Sequence, residues 1–184
     1  MKYNRLETIR YKSELKSPLQ NSRHTYSDRS GYIIKLYLDD YCGCGEASPL
    51  PQFSKESLKE IEWAIEELKV VLSSNENYKK EELLELFKIF TKKCPSLNFA
   101  LDIALYDILA QRENISLAKY LNPNAASIVK FSSVNRNSSF ATTIKVKFGK
   151  QNINTEIANL KSLKQKNPNA IFRIDMNRGF SINE

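Results

Sequence analysis

The sequence predicts an α+β layer domain followed by the opening strands of a parallel α/β unit, and three observations lead there. Residues 32–47 read as a hairpin of β-branched and aromatic residues, three helices carrying apolar stripes follow, and beyond residue 122 the order becomes strand, helix, strand. The last pattern is that of a parallel sheet with a right-handed crossover.

The elements follow in order. Residues 3–11 (YNRLETIRY) form a first strand, and the polar stretch 12–30, with Pro18 and several serines, reads as a long loop. Tyr32–Leu38 is a strand, Asp39-Asp40 a turn, and Tyr41–Ala47 the returning strand, which Pro49 and Pro51 stop. Ser54 is placed to cap the next helix, whose Leu58, Ile61, Ile65, Leu68 and Leu72 fall at three- and four-residue steps. Leu83, Phe87 and Phe90 mark a second helix. Leu97, Leu101, Ala104, Leu105, Ile108 and Leu109 mark a third, in which Ala100 and Ala104 permit close packing. Ile128–Val134, Thr142–Phe148 and Ala170–Ile174 read as strands, and Ile153–Lys166 as a helix broken by Asn167-Pro168-Asn169. The division expected is 1–122 and 123–184.

Composition narrows the functional classes. The hydrophobic fraction of 41% and charged fraction of 27% are ordinary for a globular protein. No run approaches the ~18 apolar residues that span a bilayer, and the N-terminus does not read as a secretory signal. A cytoplasmic protein without a membrane partner is expected. Three cysteines, Cys42, Cys44 and Cys94, give no disulfide framework. The net charge of +7 comes from lysines scattered over helix faces, with no nucleic-acid-binding motif. Nucleic acid is therefore not expected as a partner, and a basic protein suits a small anionic substrate.

Few residues carry chemistry. Lys145 and Lys147 stand two apart on a strand, so both ammonium groups leave the same face. Like charges roughly 6 Å apart repel by about 2.8 kcal/mol at an effective dielectric near 20, so one lysine can prime the other as a base. The same Lys-x-Lys also suits an exposed edge strand. Asp175 closes a strand, the place where parallel α/β sheets build ligand sites, and suits a hard cation such as Mg2+. Asp175-Met176-Asn177 also suits an ordinary turn. Gly43 and Gly45 allow a bulge or close backbone approach. His24, the one histidine, reads as a solvated loop side chain.

Taken together, these segments resemble the enolase superfamily, in its muconate-lactonizing subgroup. Gly43–Pro51 (GCGEASPLP) is similar to the capping-domain loop that closes over substrate, and Pro95–Leu109 to the helix ending that domain. Thr143–Phe148 (TIKVKF) resembles the subgroup's Lys-x-Lys strand, and Phe172–Ser181 (FRIDMNRGFS) its Arg-x-Asp-x-Asn strand end. The implied fold is an α+β capping domain followed by the first strands of a truncated (β/α) barrel. Asp-x-Asn-Arg with Arg178, and Asn21-Ser22-Arg23 in the first loop, are most like the o-succinylbenzoate synthases. The subgroup also holds dipeptide epimerases and N-acylamino acid racemases.

The resemblance implies roles. Lys147 would be the general base and acid, with Lys145 tuning it and holding the substrate carboxylate. Asp175 would be the first of three carboxylate ligands to Mg2+, or to another divalent ion such as Mn2+. Arg173, Asn177, Arg23 and Ser48 would bind substrate. The reaction implied is a dehydration giving 2-succinylbenzoate, a step toward menaquinone. The family's remaining metal ligands lie beyond Asp175, and the sequence ends at Glu184, so a fragment inactive alone, or a non-catalytic truncated binding protein, is expected.

Overall fold

A computed structural model of the chain describes residues 1–20, 24–129, 132, 143–149 and 151–176. The chain divides into two compact units, Met1–Ala125 and Ala126–Glu184.

The first unit is built on a three-stranded antiparallel meander in the order β1-β2-β3, with β1 Tyr3–Gln20, β2 Thr25–Leu38 and β3 Tyr41–Ala47. The hairpin expected at 32–47 is present, with Tyr32 opposite Ala47 and Leu38 opposite Tyr41. Of the polar stretch 12–30, residues 12–20 and 25–30 are strand, not loop. They extend β1 and β2 into a long ribbon, pairing Lys12 with Ser30 and Glu14 with Asp28, then shifting register before Leu19 meets Tyr26. Backbone ladders need no apolar side chains, and a ribbon of polar residues lacks the alternation that marks a half-buried strand.

Helices α1 Leu58–Ser73, α2 Lys80–Phe90 and α3 Pro95–Arg112 follow, with the short α4 Leu117–Leu121. Ser57, not Ser54, caps α1. Its Oγ accepts the Glu60 N–H at 3.3 Å while Glu60 accepts the Ser57 N–H at 2.8 Å, a reciprocal capping box. Ser54 Oγ instead accepts the Leu50 N–H at 2.9 Å, tightening the turn before the helix.

The core lies between the sheet and the helices. Ile34, Leu36, Leu38, Ile61, Leu68, Leu72, Leu83, Phe87, Leu101 and Leu105 are all fully buried there. β3 is an edge strand, and α3 lies against it at unusually short range. A Cβ on Gly43 would fall 1.8 Å from the Ala104 carbonyl oxygen, and one on Gly45 would fall 1.9 Å from that of Ala100. Only glycine fits at these two positions. Gln111 Nε2 donates to the Cys42 carbonyl at 2.9 Å, so the helix also occupies part of the strand's open edge.

The second unit holds β4 Thr143–Lys147 and β5 Ile171–Asp175, paired in parallel and joined through α5 Ile153–Lys166. Ile144, Val146 and Phe148 are buried against Leu160, Leu163 and Phe172. Asn152 caps α5, accepting the Asn154 N–H at 2.9 Å. Of the strand expected at Ile128–Val134, Ile128 and Val129 carry no regular structure, and most of the remainder lies outside the described residues. Among the described residues, no helix is long and apolar enough to cross a membrane.

Candidate functional site

The second unit presents the chemistry on one face of its sheet. Side chains alternate along a strand, so burial of Ile144, Val146 and Phe148 against α5 turns Lys145 and Lys147 to the opposite face. Register brings two more groups to that face: Lys145 stands opposite Arg173, and Lys147 opposite Asp175. The ion pair, however, runs diagonally. Lys145 Nζ lies 2.8 Å from Asp175 Oδ2, with the side chains 39% and 28% exposed. Lys147 is exposed and makes no ion pair among the described residues. Among the described residues the two lysines therefore differ in their contacts: Lys145 is ion-paired and Lys147 is not.

Asp175 closes β5, as its place in the sequence requires. It brings a single carboxylate, already shared with Lys145. Among the described residues no group of three or more histidine, cysteine, aspartate or glutamate side chains could hold a metal ion. Mg2+ needs octahedral oxygen coordination, so the described residues alone do not make its site.

The first unit holds Ser48, just past the end of β3, in a polar cluster. Arg29 Nη2 donates to the Ser48 carbonyl at 2.6 Å and to its Oγ at 2.7 Å. Ser48 Oγ donates to the Ser30 carbonyl at 3.2 Å. The Tyr11 hydroxyl donates to Glu46 and lies 3.0 Å from Ser48 Oγ. Burial and the neighbouring Glu46 carboxylate raise the Tyr11 phenol above its usual value of 10.0, so it stays a neutral donor.

Sequence reasoning named Ser48 but not Tyr11, Arg29 and Glu46, the side chains that gather around it. Their signal is the ribbon itself: once Tyr11 is in register with Gly31, Arg29 and Ser48 become neighbours. Arg23 and Asn177, expected to bind substrate, lie outside the described residues, as do Asn21, Ser22 and Arg178. Arg173 is on the lysine face and exposed. The His24 ring lies 6.1 Å from that of Tyr26.

Comparison with known proteins places this geometry. A family model described as MenC, N-terminal domain, matches residues 3–108. The L-Ala-D/L-Glu epimerase of Francisella tularensis subsp. novicida is 32% identical over 170 residues, covering 83% of this chain and 47% of the relative. An o-succinylbenzoate synthase of Listeria innocua is 30% identical over 132 residues, covering 70% of this chain and 35% of the relative. The substrate-liganded L-Ala-D/L-Glu epimerase from Bacillus subtilis superposes with a TM-score of 0.81 at 27% identity, covering 98% of this chain and 55% of that one. The chain thus spans about half the length of the curated relatives it matches, or less. Its first unit is built like the capping domain, and its second like the start of the barrel, of enolase-superfamily structures. The chain belongs to the MenC N-terminal-domain family, within the enolase superfamily.

Proposed function

We propose that the protein removes the proton α to a carboxylate of a small substrate, with Lys147 as the base. The observation that carries this reading is the unequal lysine pair. Lys145, tied to Asp175 at 2.8 Å, remains the cation that holds the substrate carboxylate, while Lys147 on the same face has no such tie. In the step, the α C–H bond breaks, its proton passes to Lys147 Nζ, and the electron pair is delocalised into the carboxylate as an enediolate. Arg173 beside the pair, with Asn177, Ser48 and Arg23, would contact substrate. A divalent metal, Mg2+ in this reading, would take Asp175 as one ligand and would need more donors than the described residues bring together.

Two outcomes share this first step. Protonation of the enediolate on its other face, by an acid that the described residues do not supply, is epimerisation, and the longer matches to L-Ala-D/L-Glu epimerases favour a dipeptide substrate. Loss of hydroxide gives 2-succinylbenzoate, which the MenC family model and the Listeria synthase favour. A cytoplasmic location belongs to the same proposal. The deciding experiment incubates the full-length protein in D2O with Mg2+ and either L-Ala-L-Glu or the alcohol precursor of 2-succinylbenzoate. Proton NMR then reads α-deuteration or the aromatic product. Deuteration of the dipeptide assigns epimerisation, the aromatic product assigns dehydration, and neither signal overturns the reading.

A further inference from the structure

The segment from Ser48 to Ser57, which joins β3 to α1, is held at three points. Arg29 grips Ser48. The Tyr26 hydroxyl donates to the Pro51 carbonyl at 3.1 Å. The third tie is Glu56, whose Oε1 accepts the Ser96 N–H at 2.9 Å.

Ser96 is the second residue of α3, in the turn where backbone N–H groups have no intrahelical acceptor. Glu56 is 8% exposed, one of two buried carboxylates among the described residues. Burying a charge is costly unless it is hydrogen-bonded, and the positive end of a helix dipole offsets part of the cost. Burial acts to raise the Glu56 pKa, and the hydrogen bonds from Ser96 outweigh it, so the carboxyl is held below its ordinary range.

Past the buried Pro49, the stretch from Pro51 to Phe53 is exposed. An open cleft of about 450 Å3 runs along it, bounded by Asp28, Ser30, Pro51, Gln52 and Glu56. At its tip Gln52 takes a left-handed φ of 62° and Phe53 is 77% exposed. An exposed stretch beside such a cleft depends on ties at its ends to hold its position. We infer that Glu56 is a positioning residue: its bond to the first turn of α3 fixes the segment that begins with Ser48. That this serves substrate binding rests on the proposed function, whereas the tie itself does not.

The test separates the two. In the 184-residue chain, chymotrypsin should cut after Phe53 about 10-fold faster in Glu56→Ala than in wild type, because local opening no longer has to break the tie. The melting temperature should fall modestly, and cutting elsewhere should rise by no more than that global loss accounts for. Glu56→Gln keeps an oxygen that accepts the Ser96 N–H and should cut at nearly the wild-type rate. If Glu56→Ala does not fold, Glu56→Asp, one methylene too short for the bond, gives the same comparison. Unchanged cutting after Phe53, or acceleration at every site alike, overturns the inference. In the full-length protein, Glu56→Ala should raise KM with kcat little changed, and Glu56→Gln should restore it. Faster cutting with an unaltered KM would leave the tie standing and overturn its link to substrate.

Discussion

Asp175 stands opposite Lys147 across the parallel strands, yet its carboxylate pairs with Lys145, at 2.8 Å. The diagonal contact breaks the symmetry of a motif whose two lysines are indistinguishable by position. Among the described residues Lys147 has no carboxylate partner, and the variants below test the proposed division of labour.

Lys147→Ala in the full-length protein should lower α-proton exchange by at least the 10²–10⁴-fold typical of a lost general acid–base group. Lys147→Arg should be nearly as damaging, because a guanidinium does not surrender its proton near neutral pH. NMR-detected exchange in D2O measures both. Near-wild-type exchange in Lys147→Ala would remove Lys147 from the chemistry.

Asp175→Asn should change stability by less than about 1 kcal/mol, since the Lys145–Asp175 pair is partly solvated, at 39% and 28% exposure. Its effect should instead fall on metal binding in the full-length protein, read by calorimetric titration with Mg2+. In the 184-residue chain, Mg2+ should bind only weakly, because one carboxylate does not make an octahedral site. Tight saturable binding by that chain would show ligands other than those described.

Gly43→Ala should destabilise the first unit by about 1–3 kcal/mol or more, as overpacking does. The added methyl meets the Ala104 carbonyl oxygen at 1.8 Å, which no rotamer change relieves. Urea unfolding measures the cost.

Acid should weaken the first unit through Glu56. Its pKa is lowered in the fold, so its contribution is present above the unfolded value near 4.5 and is lost as pH falls through the lower folded value. Glu60, lowered by its bonds with Ser57, acts in the same direction. Urea midpoints from pH 7 to pH 3 should converge for wild type and Glu56→Gln at the acid end. A difference constant with pH would contradict the assignment.

Most of the fold could be read from periodicity. The stripes of α1, α2 and α3 and the Ile153–Lys166 helix follow from apolar residues that must share a face. The ribbon of 12–30 escaped because its strands pair through backbone while their side chains remain polar. The lysine face was legible because strand alternation is local. Its diagonal ion pair was not, since register between Lys145 and Asp175 depends on the crossover joining their strands. Ser48 was singled out through its loop motif, but Arg29, which bonds to it, lies in the polar ribbon that carries no such signal.

The contact of β3 with α3 bears on how this fold tolerates change. At Gly43 and Gly45 the opposing atoms are carbonyl oxygens of Ala104 and Ala100, not side chains. A larger residue on the strand therefore cannot be accommodated by a smaller one on the helix, because no substitution removes a carbonyl. A genetic screen for suppressors of a Gly43 substitution should return changes that displace the whole helix, or none, and the Gly-x-Gly pair cannot drift by compensated exchange as ordinary core positions do.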